Sequence, residues 1–225
     1  MNRNQFILDN TTVQTSTLLP EIRLRLATEI TPLWHATEAY LEQNGIDPPF
    51  WAFAWVGGQA LARYVLDHPH AVAGLNVLDI GSGGGIVSIA AAMSGAQRVT
   101  ALDIDALSAC ACRMNAALNA VADRIDAVTA DAIGYDLARF DTILVGDVCY
   151  ARGAADELAR HLLTAAAPVL LGDPGRQFLP RGDLSHVASY TVETSRELEA
   201  HAVTQANVWR LVRPPGEGDR SPSVV

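Results

Sequence analysis

The chain has 225 residues, the size of one domain or of one domain with a short appendage. Hydrophobic residues make up 49% and charged residues 18%, which excludes intrinsic disorder as a description of the whole chain. The 25 acidic and 16 basic residues give a net charge of -9, and such a surface repels phosphate backbones. The composition therefore argues against sequence-independent nucleic-acid binding and favours a basic protein or a cationic ligand.

Cysteine usage favours a reducing compartment. The three cysteines are too few and odd in number for a disulfide scaffold. Cys110 and Cys112 leave opposite faces of a predicted helix, so they cannot hold one metal ion together, and no histidine pair has metal-ligand spacing on a helix. The first ten residues resemble no targeting peptide, and no apolar run is long enough to span a membrane. We expect a cytoplasmic protein without a metal site.

The first part of the chain is predicted to be helical. We predict two helices over residues 20–44, separated at Pro32, which breaks the run. Aliphatic residues recur there at helical spacing: Ile22, Leu26, Ile30, Leu33 and Leu41. We therefore predict an N-terminal helical extension over residues 1–47 and a core over 48–213, together one domain. Residues 214–225 are rich in Pro, Gly, Ser and charge, and are predicted to be a disordered tail.

From residue 75 onward, short apolar segments alternate with helical ones. Strands are predicted at residues 75–80, 99–103, 126–130, 140–146 and 169–171, and helices at 58–66, 86–93, 106–119 and 154–166. Strands that alternate with helices indicate an α/β fold with a parallel sheet covered on both faces. Residues 190–192 and 208–212 are predicted to close the sheet as two further strands in antiparallel orientation.

A glycine cluster joins the first of these strands to its helix. Asp79 leads into Gly81-Ser82-Gly83-Gly84-Gly85, where glycines let a ligand approach the backbone and the helix offers free N–H groups. A dinucleotide fingerprint would place its last glycine at position 86, where this chain has Ile86, so an NAD-dependent oxidoreductase is disfavoured. An acid before Gly-x-Gly-x-Gly instead resembles motif I of the class I S-adenosylmethionine methyltransferases, and a tight strand–helix turn is the alternative. The resemblance implies cofactor contacts from Asp79, Gly81, Ser82, Gly83 and Gly85.

Acidic residues lie at or just after the ends of the next three strands. Because parallel strands end at the same edge of a sheet, Asp103, Asp131 and Asp147 are expected to meet where open α/β sheets bind ligands. A carboxylate at Asp103 can accept both ribose hydroxyls, and Asp131 can accept the adenine amino group. The predicted cofactor contacts also include Ile104, Ala132 and Gly146. Any one of these acids could be a helix cap instead, which is the role predicted for Asp105.

Two further segments make the resemblance more specific. They are residues 49–64 (PFWAFAWVGGQALARY) and residues 146–150 (GDVCY). Together with the glycine motif they resemble the seven-β-strand protein-lysine methyltransferases. More narrowly, they are similar to the bacterial relatives of the electron transfer flavoprotein β-subunit lysine methyltransferase. Residues 20–24 and 171–176 carry further marks of that group. The resemblance, from residue 6 to 213, implies a Rossmann-like class I methyltransferase sheet with an antiparallel last strand. It also implies S-adenosylmethionine as cofactor and the electron transfer flavoprotein β subunit as protein substrate, a ribosomal protein being the alternative.

The catalytic residues implied by this resemblance are Asp147 and Tyr150. A free lysine has a pKa of about 10.4, and only its neutral amine attacks a sulfonium. Asp147 would orient the amine or hold the methionine ammonium of the cofactor, and Tyr150 would line the lysine channel. The alternative is a strand-end cap beside a buried tyrosine.

Four other residues have two open interpretations. Trp51 and Trp55 either close over the cofactor or pack in the core. Asp173 and Arg176 either form the turn expected from Pro174-Gly175 or contact the substrate. Two other functions also stay open: a small-molecule N-methyltransferase on the same fold, and a non-catalytic cofactor-binding module that recruits partners.

Overall fold

A computed structural model describes residues 2–28, 33, 48–148, 152–177, 184–193 and 203–212, with residues 152–154 as backbone only. The strands are β1 (Thr12–Gln14), β2 (Leu24–Leu26), β3 (Asn76–Ile80), β4 (Arg98–Asp103), β5 (Ile125–Thr129), β6 (Thr142–Gly146), β7 (Val169–Asp173), β8 (Leu184–Glu193) and β9 (Val203–Leu211). The helices are α1 (Arg3–Asn10), α2 (Val56–Asp67), α3 (Ile86–Met93), α4 (Ala106–Leu118) and α5 (Arg152–Leu162).

Seven strands form one sheet in the order β5-β4-β3-β6-β7-β9-β8. The strands from β5 to β7 pair in parallel, whereas β9 pairs antiparallel with both β7 and β8. Strands β3, β6 and β7 are buried almost throughout, as expected for strands covered on both faces. The predicted α/β class with a mostly parallel sheet and an antiparallel last strand is confirmed.

The helix predicted from residue 20 is wrong where the structure describes it, because Leu24–Leu26 is the strand β2, paired antiparallel with β1. Buried Ile22 and Leu24 alternate with exposed Arg23, which is the period of a strand. The Asn119 side chain on α4's C-terminal side also accepts the backbone N–H of Arg23, at 2.9 Å, and so competes with helical hydrogen bonding. Contacts distant in sequence therefore override a weak helical spacing.

The rest of that prediction, residues 29–32 and 34–47, lies outside the described residues, as does the tail 214–225. Helix α1 lies within the predicted N-terminal extension, but no individual helix was predicted at its residues. The Asn2 side chain caps it by accepting the backbone N–H of Asn4 and Gln5.

Helix α2 packs on the sheet through glycines. A Cβ atom on Gly57 would overlap the carbonyl oxygen of Gly172 in β7, and a Cβ atom on Gly172 would overlap the carbonyl oxygen of Gly57. The neighbouring Gly58 is different, since a Cβ atom there would lie 3.5 Å from Cγ2 of Ile86, an ordinary contact. The close approach brings the first turn of α2 to the carboxyl ends of β6 and β7.

We expect Gly57→Ala to lower the free energy of unfolding by about 1–3 kcal/mol, the usual cost of overpacking. Gly58→Ala is the matched control on the same helix turn. It should be neutral or stabilising by up to about 1 kcal/mol, because alanine has the higher helix propensity. Urea unfolding of both variants tests this, and equal effects would contradict the packing described here.

Candidate active site

The carboxyl ends of the parallel strands carry a row of acidic residues and one glycine loop. The strand order places Asp131, Asp103, the loop at residues 81–85, Asp147 and Asp173 along one edge. The order of the strands reverses between β3 and β6, and open α/β sheets bind ligands at such a switch point. The row predicted from the sequence therefore exists, and Asp173 extends it.

The glycine loop has a backbone that favours glycine. Gly81, Gly83 and Gly85 have φ angles of 67°, 50° and 86°, in the left-handed region. A Cβ atom on Gly81 would lie 2.6 Å from Cγ1 of Val148, so the loop touches the chain just after β6. The Ser82 hydroxyl is buried and has no hydrogen-bond partner among the described residues. A buried polar group in this state fits a loop that receives a polar ligand.

Asp103 supports the loop from the neighbouring strand. Its Oδ2 accepts the backbone N–H of Gly83 at 2.8 Å, and its Oδ1 accepts that of Asp105 at 2.9 Å. The next residue, Ile104, has 74% of its surface exposed, an apolar face beside the carboxylate. Asp105 caps α4 by accepting the N–H of Leu107 at 2.7 Å, which confirms its predicted role.

Two other predicted cofactor contacts, one of them with the adenine, lie beyond β5. Asp131 is exposed, and its Oδ1 accepts the backbone N–H of Ile133 at 2.9 Å, an Asx turn. Ala132 is half-buried beside it. Contact of either residue with a cofactor stays a prediction.

Asp79 lies beneath the loop, inside β3. The Ser88 hydroxyl donates to Asp79 Oδ2 at 2.5 Å, and burial raises the pKa of this carboxyl group to about 7. Its predicted contact with a cofactor stays untested, and its position indicates support of the loop from below.

The buried Asp79 should make stability depend on pH. Its folded-state pKa of about 7 exceeds its ordinary value of 3.8, so between these values the folded state binds more protons than the unfolded state. Stability should therefore fall as pH rises through this window, by up to about 1.4 kcal/mol per pH unit. Asp79→Asn keeps the shape without the charge. The stability of the variant relative to wild type should rise over the same window, and a constant difference in urea unfolding would contradict the assignment.

Asp147 is buried, and its carboxylate accepts three hydrogen bonds from two residues. It has a φ angle of 55°, which is uncommon for a residue other than glycine. Its Oδ2 accepts the backbone N–H of Gly57 at 2.9 Å, in the first turn of α2. Arg176 donates from Nε to Oδ1 at 2.8 Å and from Nη2 to Oδ2 at 3.2 Å, a bidentate ion pair. Three of the roughly four acceptor sites of this carboxylate are therefore filled.

The turn after β7 positions Arg176. Asp173 Oδ1 accepts the backbone N–H of Gly175 at 2.6 Å and that of Arg176 at 2.7 Å. Burial raises the pKa of Asp173, and its buried Oδ2 has no partner within the residues that the structure describes. The turn predicted from Pro174-Gly175 is present, and it also carries an arginine to the end of β6.

The two tryptophans differ in their surroundings. Trp51 is 1% exposed and packs in a small cluster with Ile7 and Ala27, the arrangement of the core-packing alternative. Its carbonyl oxygen would lie 2.8 Å from a Cβ atom on Gly84, so its backbone covers the glycine loop. Trp55 is half-buried, and its indole N–H donates to the carbonyl of Phe50 at 2.8 Å. Closure of either tryptophan over a cofactor stays a prediction.

A cavity of about 720 Å³ lies elsewhere, around the amino-terminal ends of β3, β4 and β5, with Asn76, Arg98 and Ile125 in its wall. None of the predicted site residues lines this cavity. Among the described residues, no group of three or more His, Cys, Asp or Glu side chains could hold a metal ion.

Comparison with known proteins agrees with this geometry. A family model described as ribosomal protein L11 methyltransferase (PrmA) matches residues 59–146. The electron transfer flavoprotein beta subunit lysine methyltransferase of Danio rerio is 41% identical over 214 residues, covering 91% of this chain and 81% of the relative. The chain belongs to the electron transfer flavoprotein β-subunit lysine methyltransferase family.

The human member of this lysine methyltransferase family is 36% identical over 213 residues, covering 91% of this chain and 80% of the relative. Among solved structures, an RNA methyltransferase from Salinibacter ruber in complex with S-adenosyl-L-homocysteine is similar. It has a TM-score of 0.50 at 19% identity and covers 70% of this chain and 94% of that one. This likeness supports the fold.

The ribosomal protein L11 methyltransferase model covers less of the site than the lysine methyltransferase relatives do. The match to residues 59–146 includes the glycine loop, Asp103 and Asp131, but ends before Asp147 and Arg176. The relatives extend over both. Tyr150, the second residue expected to be catalytic, lies outside the described residues.

Proposed function

We propose that this chain transfers a methyl group from S-adenosylmethionine to lysine side chains of the electron transfer flavoprotein β subunit. The observation that carries the proposal is 41% identity over 91% of the chain to a protein of that name. The row of acids and the glycine loop at the carboxyl edge supply a site of the kind that the reaction needs.

The cofactor would lie along the edge from the glycine loop to β5. The buried Ser82 hydroxyl lacks a partner among the described side chains and backbone, Ile104 offers an exposed apolar face, and Asp103 offers a carboxylate for hydroxyl groups. These features fit a ligand that carries a ribose, a flat base and charged polar groups. When bound, S-adenosylmethionine supplies a methyl group on a positively charged sulfur.

The residues at the end of β6 would serve the lysine. Asp147 joins the first turn of α2 to Arg176, and Val148 touches the glycine loop at Gly81, so this segment borders the cofactor site. We propose that Asp147 fixes this arrangement and that Tyr150 lines the lysine channel. Methyl transfer needs an oriented and desolvated neutral nucleophile more than a strong acid or base.

The proposed partner is a protein. The net charge of -9 disfavours nucleic acid and favours a substrate with a basic surface around its lysine. None of the helices in the described ranges is long and apolar enough to cross a membrane. We also propose a cytoplasmic location, because Cys110 and Cys112 are free thiols.

A ribosomal protein is the second candidate substrate, because residues 59–146 match the ribosomal protein L11 methyltransferase model. Incubation with methyl-labelled S-adenosylmethionine and a lysate of the source organism separates the two. We expect one labelled band, identified as the electron transfer flavoprotein β subunit. A labelled ribosomal protein would favour the second candidate, and label found only on free lysine or nicotinamide would contradict both.

A further inference from the structure

The side chain of Asn115, in α4, joins two parts of the chain that are far apart in sequence. It is 0% exposed. Its Oδ1 accepts the backbone N–H of Arg25 in β2 at 2.8 Å, and its Nδ2 donates to the backbone carbonyl of Gly84 in the glycine loop at 2.8 Å. Because one neighbour is an N–H group and the other a carbonyl group, this amide is satisfied in only one orientation. Asn115 therefore ties β2 to the glycine loop through both ends of its amide.

The same face of α4 fits closely against the glycine loop. A Cβ atom on Gly84 would lie 3.3 Å from Nδ2 of Asn115. A Cβ atom on Gly85 would lie 2.6 Å from Sγ of Cys112, which is three residues before Asn115 and so shares its helix face. The position of the loop therefore depends on what α4 presents beneath it.

The N-terminal segment, residues 2–28, reaches the glycine loop by a second route. The backbone N–H of Ala27 donates to the carbonyl of Ala52 at 2.9 Å. The neighbouring Trp51 packs with Ile7 and Ala27, and its carbonyl oxygen would lie 2.8 Å from a Cβ atom on Gly84. Both routes end at Gly84, so the segment and the loop are held together by two separate sets of contacts.

We propose that Asn115 is a positioning residue of the cofactor site, which holds the glycine loop in place and couples it to the N-terminal segment. The inference rests on the proposed methyl-transfer function. If the loop is correctly placed in only a fraction of the molecules, the apparent Kd of the cofactor rises by the inverse of that fraction. Coupling of this kind is reciprocal, so a cofactor on the loop should also stabilise the hydrogen bond at Arg25.

The first test is titration calorimetry with S-adenosyl-L-homocysteine, which measures affinity without turnover. Asn115→Ala should raise the Kd by about fivefold or more, the effect of one lost hydrogen bond worth about 1 kcal/mol. Asn119→Ala is the matched control, one turn further along. The Asn119 side chain binds the backbone of Arg23 in the same segment and the carbonyl of Asn115. The Kd of this control should stay within about twofold of wild type.

The second test measures the coupling from the other end, by hydrogen exchange of single amides. A ligand at about 100 times its Kd slows exchange by up to about 100-fold at an amide whose opening prevents binding. S-adenosyl-L-homocysteine should therefore slow exchange at Arg25 in wild-type protein, and this added protection should be lost in Asn115→Ala. The amide of Asn76, which donates to Asp141 at the start of β3, is the comparison and should change much less.

Equal affinities of wild type and folded Asn115→Ala would overturn the inference. So would an equal loss in Asn119→Ala, since a loosened N-terminal segment would then be the cause. If Asn115→Ala does not fold, exchange in wild-type protein decides, and an Arg25 amide that slows no more than that of Asn76 overturns the inference. A wild-type protein that binds no S-adenosyl-L-homocysteine would overturn the proposed function as well. One that binds it as expected but methylates no lysine would overturn the proposed function alone.

Discussion

Asp147→Asn should lower the rate of methyl transfer by about 30- to 1,000-fold at saturating protein substrate. Asparagine keeps the size of the side chain but loses the charge that holds Arg176 through two hydrogen bonds. The loss of a charge-assisted contact in a desolvated site costs roughly 2–4 kcal/mol, which gives this range of rates. Steady-state kcat with the protein substrate is the measurement.

If Asp147 serves only as a structural cap, we expect a different result for the same variant. Asn and Asp cap helices about equally well, so activity would then stay within a few-fold of wild type. Asp105→Asn is the matched control, because Asp105 is an observed helix cap at the same edge of the sheet. The rate of methyl transfer by Asp105→Asn should equal that of wild type. Both variants need a thermal melt that shows a folded protein.

Asp103→Ala should weaken S-adenosylmethionine binding by about 2–3 kcal/mol, or roughly 30- to 150-fold, which lies within the range for hydrogen bonds to a charged group. The variant removes the carboxylate expected to accept the ribose hydroxyls and also releases the backbone N–H of Gly83. Titration calorimetry measures the affinity directly.

Asp126→Ala is the control for this experiment. Asp126 is an exposed acid near the amino end of β5, paired with Arg98 and remote from the glycine loop. Cofactor affinity should be unchanged in this variant. An unchanged cofactor affinity in folded Asp103→Ala would contradict the prediction that Asp103 accepts the ribose hydroxyls.

The sheet and the row of residues at its carboxyl edge were predictable because their signals are local. Short apolar runs between helical segments give parallel strands, and Asp103, Asp131 and Asp147 lie at or just after the ends of three of those strands. Gly81, Gly83 and Gly85 were informative for the same reason, since a loop with left-handed φ angles favours glycine at its own positions.

Other features depend on contacts that no local pattern records. Arg176 and Asp147 are 29 residues apart and meet because β6 and β7 are neighbours in the sheet. The strand β2 forms where a helix was expected, in part because the distant Asn119 side chain accepts its flanking backbone N–H. Trp51 belongs to a small core with the N-terminal segment, which its sequence neighbours did not indicate.

The most direct measurement uses three purified components: this protein, methyl-labelled S-adenosylmethionine and the electron transfer flavoprotein β subunit of the same organism. Peptide mass spectrometry locates the label, and free lysine and nicotinamide are present in the same reaction as competitors. The proposed function predicts label on lysine side chains of the β subunit, lost in large part with Asp147→Asn. An unlabelled β subunit beside labelled free lysine or nicotinamide would contradict it.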